Sequence, residues 1–172
     1  VHGPADVIAV GTAYTSWTNI GQAFILQWDG YRWRTVLVPD TGRDSELLSV
    51  TFVPHTRTAW AVGRMGRASL LEYYNGSTWR RVAIPQVAIR NSLRSVSATA
   101  ACNVWVAGRL YTTYPFVLHF DGKHWEISET KLKKDYAIDS IMASSWHTAW
   151  TVGYAGDAGA ERSEHWMEKQ WK

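Results

Sequence analysis

The sequence predicts an all-β fold, a β-propeller assembled from four-stranded antiparallel blades, and three observations carry that prediction. The first is a period of 46 residues, shown by Trp33, Trp79, Trp125 and Trp171 and again by Trp28, Tyr74, Phe120 and Trp166. The second is an apolar run closed by glycine, "AWAVG" ending at Gly63, which returns in variant form ending at Gly11, Gly108 and Gly153. The third is Leu-x-Ser-Val at Leu47 to Val50 and Leu93 to Val96, with Ile138 to Ile141 as its variant. Three signatures that keep their order through the chain define a repeat, and four short strands in about 46 residues make a propeller blade.

The units run over residues 1–46, 47–92, 93–137 and 138–172. In the second unit "LLSVTFVP" alternates apolar and polar residues, the pattern of a half-buried strand. "TAWAVGR" is nearly continuous in apolar residues and is expected to be covered on both faces. "SLLEYYNG" and "TWRRVAIP" follow, joined by an Asn-Gly step that predicts a tight type I′ hairpin. Proline at positions 39 and 85 closes the fourth strand by removing a donor. No segment sustains a helical apolar period. At the hairpin, Asp29, Asn75 and Asp121 are expected to accept backbone amides two residues on. The tryptophan beyond each turn then pins the hairpin, so the motif reads as frame and not as site. A blade cannot cover its own faces and must stack on its neighbours, which gives the eleven tryptophans a duty and makes Trp60, Trp105 and Trp150 the expected core between blades. The first unit lacks its innermost strand and the last its outermost, so self-association or continuation into further blades is expected.

At 172 residues, 46% hydrophobic and 19% charged, the chain has the composition of an ordered globular protein. A net charge of +3 with no basic run longer than Lys131 to Lys134 argues against nucleic acid as partner. No apolar stretch reaches the ~20 residues that span a bilayer, so membrane insertion is not expected. Cys102 is the sole cysteine, so no internal disulfide forms, and its place before an apolar strand predicts a buried, inert thiol. The six histidines lack ligand spacing; His119 and His165 share repeat phase and so fall on different blades. No Gly-rich phosphate loop opens a helix. No metal or other cofactor is implied.

Candidate binding residues come from the loops between second and third strands, which share one face with the connections between blades. Those loops, "TAYTSWTNIG", "MGRA", "LYTTYP" and "YAGDAGAE", differ in every unit. Tyr14, Trp17, Tyr111, Tyr114 and Tyr154 break the repeat pattern there. Arg64 and Arg109 directly follow equivalent glycines, and Arg67 and Asp157 lie in the same loops. Aromatic rings beside arginine and aspartate suit a glycan or a protein segment, since flat rings give contact at low entropy cost while charged groups set orientation. Carboxylates for an enzyme reading are Asp44, Glu46, Asp135, Asp139, Asp157 and Glu161. A glycosidase pair must stand about 5–9.5 Å apart, and the sequence singles out no pair. The reading is a non-catalytic binding module for a glycan or protein, with a segment of a glycoside-processing, sialidase-like enzyme and an assembly-factor scaffold as alternatives.

"QWDGYRW", "EYYNGSTW" and "LHFDGKHW" resemble in part the Asp-box of sialidase-type propellers, with Asp and Gly adjacent in this chain. More closely, "SVSATAACNVWVAG" followed by "VLHFDGKHW" is similar to bacterial propeller repeats with Trp-Ala-Val-Gly and Asn-Gly-x-x-Trp cores, familiar from surface and secreted proteins. Photosystem II assembly-factor propellers are a more distant likeness. The resemblance implies an extracellular or cell-surface location. It also implies a frame role for the turn motif, because the Asp-box lies between third and fourth strands, away from the ligand face. The Arg-Ile-Pro segment that announces a sialidase arginine cluster is missing: "VAIPQ" has Ala83 in the arginine's place.

Overall fold

The computed structural model describes residues 6–14, 20–38, 44–85, 91–110, 114–128, 130, 136–146, 148–155, 161–167 and 170–171; at 110, 155 and from 161 onward it describes backbone alone. Every regular element among them is a strand. The first sheet has three, β1 (Val7–Tyr14), β2 (Gly21–Trp28) and β3 (Trp33–Val36), in that order. The second runs β4 (Ser45–Phe52), β5 (Ala59–Met65), β6 (Ala68–Tyr74), β7 (Trp79–Arg81). The third runs β8 (Asn91–Ala100), β9 (Asn103–Leu110), β10 (Pro115–Phe120), β11 (Trp125–Ser128). The fourth runs β12 (Tyr136–Ser145), β13 (Thr148–Ala155), β14 (Glu161–Met167), β15 (Gln170–Trp171). All neighbours are antiparallel. Among the described residues the first blade thus shows its second to fourth strands, and the last shows a two-residue stub of its outermost strand, Trp166 pairing with Trp171.

Two of the three signatures owe their form to one irregularity. In blades two, three and four the register slips between Leu47 and Ser49, Leu93 and Ser95, and Ile138 and Ser140. The x of Leu-x-Ser-Val is therefore a bulged residue: Leu48, Arg94 and Asp139. A bulge bends its strand toward the partner, and here it drives a carbonyl onto the signature glycine. A Cβ on Gly63 would meet the Glu46 carbonyl oxygen, one on Gly153 that of Ala137, and one on Gly108 would lie 2.6 Å from that of Ser92. Gly63→Ala is accordingly expected to destabilise the fold by about 1–3 kcal/mol through overpacking, readable as a lowered urea midpoint with an unchanged slope.

The serine of the same signature ties adjacent blades. Ser49 Oγ accepts the Val96 amide at 3.3 Å and Ser95 Oγ the Ile141 amide at 3.1 Å. Around these bonds lie three cores. Ile8 and Ile25 meet Leu47, Ala59, Ala61, Leu70 and Trp79 between blades one and two. Trp60, Val62 and Leu71 meet Leu93, Val96, Val104 and Leu118 between blades two and three. Trp105, Ala107 and Val117 meet Ile138, Ile141 and Ala149 between blades three and four. Trp60 and Trp105 are 5% and 1% exposed, as interblade core should be, but Trp150 is 43% exposed. The reason is directional. This tryptophan faces the following blade in the second and third units, and among the described residues no further sheet stands against the fourth.

The hairpin motif is frame, though not by type I′ geometry. Four residues, 29–32 in blade one, connect Trp28 to its partner Trp33, and the same holds for 75–78 and 121–124. Only the glycines take positive φ, 97° at Gly30, 96° at Gly76 and 99° at Gly122, whereas type I′ needs it at two positions. The side chain does the rest: Asp29 Oδ1 accepts the amides of Tyr31 and Arg32, both at 3.0 Å, and Asn75 and Asp121 repeat the arrangement. Those two amides hold the half-buried Asp29 carboxyl down at about 2. The flanking rings pair, Tyr74 with Trp79 at 5.2 Å and Phe120 with Trp125 at 5.1 Å. Trp60 of blade two then sets its ring 5.3 Å from Trp125 of blade three.

A candidate arginine-lined binding site

At the end of the sheets where β5 and β9 finish and β4 and β8 begin, blades two and three part to leave a cleft of about 370 Å³. Its walls are Asp44 and Glu46 from the start of β4, Arg64 and Gly66 from the β5–β6 turn region, Arg67, and Asn91, Ser92, Arg94 and Arg109 from blade three. Four guanidinium groups face two carboxylates.

The two carboxylates are taken. Arg64 Nε stands 2.8 Å from Glu46 Oε1, and its Nη1 is 2.9 Å from Asp44 Oδ2. Asp44 Oδ1 accepts the Gly21 amide at 3.0 Å, which ties this ion pair to blade one. The Arg64 hydrogen bond is the main reason the Asp44 carboxyl sits below its ordinary value. Asp44 and Glu46 are thus both ion-paired to Arg64, whereas a glycosidase pair needs one carboxyl held protonated as the general acid. Asn91 frames the cleft floor, its Oδ1 accepting both the amide and the hydroxyl of Ser69 at 2.8 and 2.7 Å.

Arg67, Arg94 and Arg109 have no carboxylate within ion-pair distance among the described residues. Arg94 is half-buried, and its Nε is shielded from solvent without a hydrogen-bond partner. Sequence reasoning selected Arg64, Arg67 and Arg109 and missed Arg94. Its signal was the variable position inside Leu-x-Ser-Val: a bulge frees one side chain per inner strand from the packing alternation and re-aims it.

The remaining candidates do not share this cleft. Tyr14, Tyr114 and Tyr154 are exposed, at 65%, 46% and 40%, near the same end of the sheets but outside the cleft lining. Trp17, Tyr111, Asp157 and the carboxylate candidate Asp135 lie outside the described residues, as does the Glu161 side chain. Asp139 is exposed. His119 is core: its ring stacks on Trp105 at 4.0 Å, Nε2 meets Asn103 Oδ1 at 2.8 Å, and burial lowers its pKa. Cys102 is half-buried in the turn between β8 and β9, against Gly122, and not inside the strand core. No group of three or more His, Cys, Asp or Glu among the described residues is placed to hold a metal.

Solved structures share this architecture, two of them as follows. The chain is similar over 81% of its length to 43% of a protein described as YCF48 bound to D1 peptide, at 20% identity and a TM-score of 0.62. It is similar over 98% of its length to 62% of the lectin of the fungus Aleuria aurantia, a six-bladed β-propeller with a novel fucose recognition mode, at 12% identity and a TM-score of 0.52. The fold is that of a β-propeller. This propeller chain spans less than two thirds of either neighbour. No protein-family model matches the sequence, and no curated protein matches it as a relative. At these identities the likeness concerns the propeller scaffold, and a scaffold hosts many activities.

Proposed function

We propose that this propeller is a non-catalytic binding module whose arginine cleft receives the carboxylate groups of an acidic protein segment. The observation that carries the reading is the gathering of Arg67, Arg94 and Arg109, free of carboxylate partners among the described residues, in one cleft between blades two and three. Guanidinium forks bind carboxylates bidentately and remain charged at every physiological pH. Among the described residues no aromatic ring lines the cleft, which favours a charged ligand over stacking of a neutral sugar. That a propeller of similar fold carries a peptide supports the choice of ligand class.

A glycan is the second reading. Exposed Tyr14, Tyr114 and Tyr154 near the same end of the sheets favour it, as does the existence of a fucose-binding propeller. A segment of a glycoside-processing enzyme draws less support, because Asp44 and Glu46 are engaged by Arg64. The assembly-scaffold reading is a special case of the first, with the acidic segment belonging to a larger complex. The extracellular or cell-surface location implied by the resemblance stays part of the proposal.

Titration with an Asp/Glu-rich decapeptide and its Asn/Gln counterpart, followed by fluorescence polarisation, tests the reading. The acidic peptide should bind, more weakly as salt rises, and Arg94→Ala with Arg109→Ala should weaken it by at least about tenfold, one to two charge-assisted hydrogen bonds. Equal binding of the neutral peptide, or an unaffected double variant, removes the cleft as the site. Binding of fucosylated or sialylated glycans that depends on the three tyrosines instead establishes the second reading.

A further inference from the structure

At the end of the sheets opposite the arginine cleft, the junction of blades one and two lacks a ring that the later blades supply. In blade two Trp60 pairs with Tyr73 across β5 and β6, and their rings lie 4.6 Å apart. Trp60 then reaches Phe120 and Trp125 of blade three at 5.6 and 5.3 Å. In blade three Trp105 pairs with His119 in the same register and stacks on it at 4.0 Å. Blade one sets Ile8 against Gln27 at these two positions. Neither carries a ring. Ile8 is part of the apolar core with Trp79, but beside Gln27 the junction opens into a cleft of about 450 Å³. Gln27 stands in the place of Tyr73, and Tyr74, on the far wall, in the place of Phe120. A local departure from a rule that the rest of the fold obeys marks a candidate site.

The lining states what an occupant must bring. Trp28 from blade one and Tyr74 from blade two are half-buried rings on the cleft. Asp29 is spent: Oδ1 accepts two backbone amides, and Oδ2 meets both Nε and Nη2 of Arg34 at 2.6 Å. Asp6 and Arg57 also line the cleft, and neither has an ion-pair partner among the described residues. The occupant therefore needs a flat face for the rings and hydrogen-bonding groups around its edge. An indole or phenyl ring would strip water from Asp6, Gln27 and Arg57 and return at most one hydrogen bond. A sugar ring meets both needs: its C–H face lies on an aromatic ring, while hydroxyls donate to Asp6 and Gln27 and accept from Arg57. One free charge of each sign favours a neutral sugar over an acidic one.

We propose that this junction is a carbohydrate-binding site, which takes one neutral sugar ring of a glycan where the later junctions hold their own indole. The site lies away from the arginine cleft and does not rest on the reading of that cleft. The cleft size falls within the range of about 300–1,000 Å³ usual for small-ligand sites.

The test refills the space from within. Methyl glycosides of galactose, mannose, fucose and N-acetylglucosamine are titrated to about 10 mM, several-fold above the Kd of a weak site of about 1 mM. Saturation-transfer NMR reads their ring protons. At least one should bind the native chain. Ile8→Trp with Gln27→His copies the stacked pair of blade three; it should weaken that sugar by at least about tenfold and lower the thermal midpoint by no more than about 2 °C. Arg57→Ala, an exposed change outside the cores, should weaken it by about three- to tenfold, and this variant decides the matter if the double variant does not fold. Binding by none of the four sugars overturns the proposal. So does undiminished binding to the folded double variant, or to Arg57→Ala.

Discussion

Replacing Trp105 by alanine is expected to lower the unfolding free energy by about 3–5 kcal/mol, the range for deleting a buried aromatic and leaving its cavity. The ring is 1% exposed and packs with Ala107, Val117, Ile138, Ile141 and Ala149 across the junction of blades three and four. It also covers the His119 ring at 4.0 Å, and its Nε1 donates to Asn103 Oδ1 at 2.9 Å. Asn103 in turn donates from Nδ2 to the Ser145 carbonyl at 3.1 Å, so the truncation loosens a hydrogen-bonded link between blades as well as a core. Trp150→Ala is the internal comparison. It removes the same side chain from the same repeat position, but from a site 43% exposed, and should cost less than half as much. Urea unfolding of the two variants checks this; equal losses contradict the assignment of Trp105 to a closed junction and Trp150 to an open one.

Glu72 is expected to make the fold less stable as pH rises from 4.5 toward neutrality, and Glu72→Gln to abolish that loss. The side chain is wholly buried, and neither carboxyl oxygen has a hydrogen-bond partner. Arg81 Nε stands 3.6 Å away, too far for a hydrogen bond. Burial pushes the carboxyl from 4.5 up to about 7, against the smaller pull of Arg81. The folded state therefore keeps the proton over a range in which the unfolded chain has released it. Stability is full below about 4.5, falls through the interval up to 7, and is level above it, with a total loss of about 3 kcal/mol. The repeat-equivalent residues are Leu26, Leu118 and Glu164, so leucine serves at this position in two units, and Glu72→Leu should also fit and stabilise the protein at pH 8. Denaturant midpoints of wild type and both variants at pH 5 and pH 8 decide it. Parallel behaviour of wild type and Glu72→Gln across that interval excludes the effect.

The frame was legible in the sequence because it is repeated: one period recurs in the hairpin rings, in the glycine after the apolar run and in the serine pattern, and each recurrence has a contact behind it. The hairpin geometry was misread because Asp-Gly and Asn-Gly carry two meanings. As a bare dipeptide they favour a two-residue turn, but Asp29, Asn75 and Asp121 instead cap two amides across a four-residue loop. Trp150 was misplaced for the opposite reason: repeat phase fixes which way a side chain points, while its burial depends on the neighbour. Glu72 passed unnoticed because a lone charge in an alternating strand reads as solvated. Arg64, Arg67 and Arg109 stood out as irregular residues at strand ends, yet their meeting with Arg94 depends on two blades approaching each other, which no linear spacing encodes.

The bulged inner-strand residue separates what the fold requires from what varies. Leu47 and Ser49 on either side of Leu48 are bound to packing and to an amide, and so are Leu93 and Ser95 around Arg94, while beside Asp139 Ile138 is packed and Ser140 is exposed. The bulged residue itself carries no such obligation. Leu, Arg and Asp occupy it in turn without altering the strand order. A propeller of this kind can therefore be re-addressed to a new ligand by rewriting one letter per repeat, and swapping Arg94 with Asp139 should invert the charge presented at each position while leaving the melting behaviour almost untouched.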